Sequence, residues 1–286
     1  LKSANYSLEY SKIMGKNRMT VFSRDILADR ERRLELLELL RESVERGFAG
    51  FTIHYQPQVD TVSGRLCGAE ALARWHCTKY GDVSPGEFIP LMEQSGLIIP
   101  FGQWILSRGM AQCLEWCRFR PDFQISVNLS YIQLAQGDFI SFLRTALEEH
   151  SLAPSKIILE LTETYLAKAE EDTLRMIAQM KELGVKIAMD DFGVGYSSLF
   201  SLKSIPVDVV KIDRGFVKGI TSDLFNATFI RSITDLCHDV GRKVCLEGVE
   251  TEEEYEAVRE LGMEYIQGYY FGRPMSARQF EDRLKE

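Results

Sequence analysis

The sequence predicts an α/β protein, a TIM-like (β/α)8 barrel whose first strand runs antiparallel to the others. Three observations lead to this class. Beyond Gly50, eight short β-rich runs alternate with helical stretches, a rhythm that suits one closed barrel. The first two runs are joined only by Val59-Asp-Thr-Val-Ser-Gly64, too short for a crossover helix, so they are expected to pair as a hairpin. Finally, run after run closes on an acidic or amide side chain, as expected where strand ends share one mouth. A doubly wound open sheet also produces alternation and is the competing architecture.

The elements follow in chain order. Ala4 to Met14 carries apolar residues at helical spacing, Gly15-Lys-Asn-Arg18 makes a turn, and Met19-Thr-Val-Phe22 reads as a short strand. Such a segment cannot bury a core alone, so residues 1–28 are expected to be the end of a preceding domain plus a linker. It resembles the C-terminal helix and strand of a GGDEF (diguanylate cyclase) domain. The chain opens on Leu1 rather than Met, and we expect a piece of a longer protein with sensor domains or a membrane anchor upstream. From Asp29 to Phe48, Leu34, Leu36, Leu37, Leu39, Leu40, Val44 and Phe48 interleave with Glu and Arg, the pattern of an amphipathic helix.

The barrel is assigned to residues 29–286. Its strands are read at Phe51–Gln56, Leu66–Ala73, Gln124–Leu129, Lys156–Leu161, Val185–Asp190, Val207–Ile212, Lys243–Leu246 and Glu264–Tyr269. Helices are read at Gly102–Cys117, Phe139–His150, Ala167–Leu183, Leu224–Val240 and Thr251–Leu261.

Composition narrows the function. The formal net charge is −8, so long nucleic acid is not held by bulk electrostatics. A phosphate ligand needs some other source of positive charge. No apolar run approaches the length of a membrane span. The six cysteines form no CxxC pair and the four histidines are scattered; reduced thiols in a cytoplasmic domain are expected. Cys113 and Cys117, four apart on a helical stretch, read as small apolar residues on one buried face rather than as metal ligands.

The polar strand ends carry the chemistry. Glu70, Asn128, Glu160, Asp190, Asp191, Lys211, Asp213, Glu247 and Gln267 all stand at or near the end of an apolar run, with Glu163 just past one. A single strand-end carboxylate is as easily a helix cap or a solvated group. So many, on separate strands, favour a common site. Glu70, Glu160, Asp190, Asp191 and Glu247 would set five carboxylates against Lys211, and like charges that close require cations. Carboxylate and amide donors without His or Cys suit Mg2+ or Mn2+. The adjacent Asp190–Asp191 pair could serve two ions, which suits displacement at phosphorus. Asp191-Phe-Gly-Val-Gly-Tyr-Ser-Ser198 then becomes a loop at the mouth, otherwise an ordinary βα turn.

Ordered motifs cover about Leu34 to Glu286. They are Tyr55-Gln-Pro57, Glu70-Ala-Leu72 with Arg74-Trp75, Phe88-Ile-Pro90, Asn128-Leu-Ser130, Glu160-Leu-Thr-Glu163 and Asp190-Asp-Phe-Gly193, then Lys211-Ile-Asp213, Glu247-Gly-Val-Glu-Thr251 and Gln267-Gly-Tyr-Tyr-Phe-Gly-Arg-Pro274. Together they resemble the EAL family of cyclic di-GMP phosphodiesterases. The resemblance implies a barrel with a reversed first strand and hydrolysis of cyclic di-GMP to linear pGpG with Mg2+ or Mn2+. It also implies metal ligands at Glu70, Asn128, Glu160, Asp190, Asp191 and Glu247. Lys211 would orient or deprotonate water, and Glu163 would brace the following loop. Gln56 and Arg74 would contact the dinucleotide, and Asp213 and Gln267 would complete the inner shell. A homodimer is a further family-based expectation. The chain departs from the family pattern at Gln58, usually apolar, at Val194, often Thr, and at Leu246, often small. A silent cyclic di-GMP receptor or regulatory scaffold is the alternative function, and another metal-using barrel such as a glycerophosphodiester hydrolase is a third.

Overall fold

The computed structural model describes residues 23–136, 138–167, 169–194 and 199–285. The expected helix–turn–strand remnant at residues 4–22 lies outside the described residues, as do residues 195–198 of the loop that begins at Asp191. The chain divides into two compact units, one formed by the residues up to Phe51 with Trp75–Leu97, the other by Thr52–Arg74 with Ile98–Glu286.

The smaller unit holds helix α1 (Arg24–Glu45), the far end of strand β2 (Leu66–Cys77), strand β3 (Gly81–Val83) and helix α2 (Pro85–Ser95). Helix α1 starts earlier than expected because Ser23 caps it, its hydroxyl accepting from the Ile26 amide. Leu36 and Leu40 on its apolar face are fully buried, while its polar face reaches outward to make ion pairs. Arg32 donates to both oxygens of Glu87 at 2.6 and 3.1 Å, and Glu35 pairs with Lys79 at 2.6 Å and accepts from the Tyr80 hydroxyl. Phe51, Trp75 and Phe88 form an aromatic cluster, with Phe51 stacked on Trp75 at 5.5 Å. Helix α2 has no counterpart among the expected helices; Pro85 occupies its first turn, where its missing N–H costs nothing.

The larger unit is the barrel. Its strands are β1 (Phe51–Asp60), β2, β4 (Gln124–Asn128), β5 (Ile157–Thr162), β6 (Lys186–Phe192), β7 (Val209–Ile212), β8 (Lys243–Glu247) and β9 (Tyr265–Gln267). The order β1-β9-β8-β7-β6-β5-β4-β2, with β1 also paired to β2, closes a ring of eight. From β2 through β4 to β9 every neighbour is parallel, whereas β1 meets β9 antiparallel. The closed ring excludes the open doubly wound sheet, and the reversed first strand is as expected. Strand β1 continues past Gln56 through Pro57, which lies between its pairing to the short strand β10 (Met275–Ser276) and its pairing to β9.

Helices α3 (Ile98–Trp116), α4 (Tyr131–Gln136), α5 (Phe139–His150), α6 (Glu163–Leu166), α7 (Glu171–Glu182), α8 (Leu199–Ser204), α9 (Leu224–Asp239), α10 (Glu252–Val258) and α11 (Ala277–Leu284) follow the strands. Helix α3 begins four residues earlier than the sequence suggested because Pro100 sits in its first turn. Trp116 is fully buried and stacks on Phe280 of α11 at 4.4 Å, with Phe123 and Tyr55 edge-on to it. Among the described residues no helix is long and apolar enough to cross a membrane.

Candidate active site

Register places the polar strand ends together. Asn128 pairs with Glu160 across β4 and β5, Thr162 with Asp190 across β5 and β6, and Glu247 with Gln267 across β8 and β9. Parallel neighbours in register bring their C-terminal residues to the same level of the barrel.

The centre of the cluster is Lys211, 2% exposed. Its ammonium lies 2.7 Å from Glu160 Oε2, 2.7 Å from Glu247 Oε1, 3.1 Å from Asp190 Oδ1 and 3.5 Å from Glu70 Oε2. Burial works to lower its pKa, but the surrounding carboxylates outweigh burial and hold it well above the ordinary lysine value. The carboxylates respond unequally. Burial works to raise Glu70, yet Lys211 and hydrogen bonds from Gln267 and Asn128 leave it below its ordinary value. Glu160 is pushed well above its ordinary value by burial and by Glu70 and Asp190. Glu247 is raised to about 7, chiefly by burial, with Asp190 and Glu70 adding to it. Asp191 is raised by burial and by the neighbouring Asp190 and Asp213.

The amides aim Glu70. Asn128 Nδ2 donates to Glu70 Oε1 at 2.7 Å and Gln267 Nε2 to Glu70 Oε2 at 2.6 Å. Gln267 Nε2 also lies 3.2 Å from Gln56 Oε1, which brings Gln56 to the rim.

The Asp190–Asp191 pair depends on a distortion. Regular alternation would send adjacent side chains to opposite faces. Between Met189 and Phe192, however, the β6–β7 register shifts, and Asp191 adopts a left-handed φ of 56°. Ligand atoms of Asp190, Asp191 and Glu247 consequently lie within 4.8 Å of one another. Glu163, 1% exposed, accepts from the Gly193 amide at 2.9 Å and ties β6 back to the start of α6.

Two of the expected residues have local partners instead. Arg74 Nη1 donates to the Ala73 carbonyl at 2.8 Å. Asp213 accepts from the Gly215 amide at 2.7 Å, capping a 3-10 turn at residues 214–216. Gln58 was singled out in the sequence only as a departure; it is 7% exposed and donates to Gln267 Oε1 at 2.9 Å. An apparently misplaced amide in an apolar strand was the available signal.

The donor set fits hard divalent cations. Five carboxylates and one amide converge with a single lysine, an excess of negative charge that Lys211 alone does not balance. Glu160 Oε1 is buried with no hydrogen-bond partner among the described residues, as expected of an oxygen kept for an ion. Glu, Asp and Asn oxygens without thiolate or imidazole match Mg2+ or Mn2+ rather than zinc.

The fold and site define a (β/α)8-type barrel with an acidic, all-oxygen cleft at its parallel strand ends, where active sites of this fold lie. The chain belongs to the EAL domain family, whose model matches residues 38–274. It is 38% identical over 278 residues to the bifunctional diguanylate cyclase/cyclic di-GMP phosphodiesterase MucR of Pseudomonas aeruginosa, covering 97% of this chain and 40% of that protein. It is 32% identical to the cyclic di-GMP phosphodiesterase NbdA of the same organism, over all of this chain and 36% of that protein. The chain thus spans about two-fifths of these relatives. Among solved structures, the MucR phosphodiesterase in complex with c-di-GMP superposes with a TM-score of 0.79 at 40% identity, covering 86% of this chain and 99% of that one. An EAL domain protein from Listeria monocytogenes superposes with a TM-score of 0.73 at 31% identity, covering 87% and 96%.

Proposed function

We propose that this domain hydrolyses cyclic di-GMP to linear 5′-pGpG, using two Mg2+ or Mn2+ ions in the acidic cleft. The observation that carries the reading is the convergence of Glu70, Asn128, Glu160, Asp190, Asp191 and Glu247 around Lys211. The likeness to relatives whose names state this activity supports it.

Glu70, Asn128, Glu160, Asp190, Asp191 and Glu247 would hold the ions. When bound, the cations supply Lewis-acid polarisation of the phosphodiester and ease ionisation of the attacking water. The carboxylates hold the proton on Lys211 in the metal-free cleft; with cations bound beside them, Lys211 would orient or deprotonate the attacking water. Water adds its oxygen to phosphorus, the bond from phosphorus to the ribose 3′ oxygen breaks, and the water's proton is accounted for on that leaving oxygen. Arg74 and Gln56 would bind the dinucleotide at the rim, Arg74 through a charge-assisted bond to phosphate, with Asp213 and Gln267 lining the inner shell. Glu163 would hold the loop at Gly193 so that Asp191 stays aimed inward.

The test is direct. Purified protein is incubated with cyclic di-GMP and Mg2+ and the products are separated by chromatography. A linear dinucleotide is expected; binding without product identifies a receptor instead. For the full-length protein we propose an upstream GGDEF domain, supported by the likeness to MucR, which is named a diguanylate cyclase as well as a phosphodiesterase.

A further inference from the structure

We propose that Gln58 is a positioning residue for the metal site, acting through Gln267 on Glu70; this rests on the reading that the cleft binds divalent cations. Gln58 and Gln267 face each other in the antiparallel β1–β9 register. Gln58 Nε2 lies 2.9 Å from Gln267 Oε1 and 3.4 Å from Ser126 Oγ. Gln267 Nε2 in turn lies 2.6 Å from Glu70 Oε2. The three side chains are 7%, 4% and 6% exposed, so bulk water does not substitute for a lost partner.

A carboxamide has two unlike faces. One is a donor and the other an acceptor, and the group fits its slot either way round by shape. With its NH2 toward Glu70, Gln267 gives the carboxylate a short hydrogen bond. Reversed, it sets a carbonyl oxygen against a carboxylate. Gln58 favours the first orientation by donating to Gln267 Oε1 at 2.9 Å, and Gln56 Oε1, 3.2 Å from Gln267 Nε2, favours the same one. Its own place is built in: a Cβ at Gly68 would come within 2.9 Å of Gln58 Oε1, so the absent side chain at Gly68 makes room for the amide.

An apolar residue at position 58 leaves Gln267 Oε1 buried without a donor, which favours rotation of the amide away from Glu70. Glu70 then keeps the Asn128 bond and loses its 2.6 Å partner. Groups of this kind behind a ligand are worth about 10- to 100-fold in metal affinity.

The experiment measures Mn2+ affinity from the free-ion paramagnetic resonance signal, with the wild-type chain, Gln58→Leu, Gln267→Leu and the double variant. Circular-dichroism melts establish that each is folded, and Gln58→Asn, whose shorter amide falls short of Gln267, replaces any Gln58→Leu that is not. Weakening of about tenfold or more is expected for Gln58→Leu, with the double variant no weaker than Gln267→Leu because both changes act on one contact. Gln58→Leu binding within twofold of wild type, or losses that multiply in the double variant, overturns the inference alone. Wild-type protein that binds no Mn2+ overturns the cation reading and the inference with it.

Discussion

The carboxylate of Glu163, buried at the start of α6, accepts a hydrogen bond from the amide of Gly193 at the end of β6 over 2.9 Å. Gly193 has a φ of 98°, and a Cβ there would lie 2.4 Å from the Phe216 ring. The contact therefore anchors a stretch that includes Asp191, itself left-handed at 56°.

Glu163→Ala removes this anchor. Turnover and Mn2+ affinity are expected to fall about tenfold or more, with about 0.5–1.5 kcal/mol of stability lost with the hydrogen bond. Steady-state kinetics and urea melts measure both. Unchanged kinetics would mean that the loop is held by other contacts.

Glu70→Ala and Asp190→Ala are each expected to lower turnover by at least about a hundredfold, since each removes a ligand oxygen facing Lys211. The control is a melt showing that the barrel persists. Near-normal rates in either variant would dismantle the ligand set.

Glu247 predicts a pH effect on metal-free protein. Its pKa rises from the ordinary 4.5 to about 7 on folding, so between these values the folded state holds a proton the unfolded chain has released. Its contribution to stability is greatest at low pH and is lost as pH rises through that window. The melting temperature of chelated wild type should therefore decline more between pH 5 and pH 8 than that of Glu247→Gln. Equal declines would place the carboxyl in its ordinary range. Saturating Mg2+ should offset the wild-type decline, because the ion compensates the charge that burial penalises.

Chelation gives a fourth outcome. Excess EDTA is expected to stop hydrolysis, and added Mg2+ or Mn2+ to restore it. Activity indifferent to EDTA would exclude the cation-assisted route.

Trp116→Ala tests the packing instead. Trp116 is fully buried against Phe280, Phe123 and Tyr55, so its loss should cost about 3–5 kcal/mol, read as a lower denaturation midpoint.

Much of this was visible before any coordinates. The short link from Val59 to Gly64 required a hairpin, and the barrel has its reversed β1. Of the acidic and amide residues closing apolar runs, Glu70, Glu160, Asp190 and Glu247 surround Lys211, whereas Asp213 caps a local turn. Boundaries near proline differ: α2 has no counterpart among the expected helices, α3 begins at Ile98 rather than Gly102, and β1 runs through Pro57 rather than ending at Gln56. In the two helices the first turn needs no N–H at the proline.

By itself, the sequence determined the alternation of strand and helix and the side-chain chemistry stationed at each strand end, because both are properties of local pattern. Only the tertiary structure decided which oxygens face one another. The register shift in β6 turned Asp190 and Asp191 toward a common point against the normal alternation, and the β1–β9 pairing set Gln58 against Gln267 across 209 positions of chain. Such pairings arise from long-range backbone hydrogen bonding and shared burial, which no local window of residues contains.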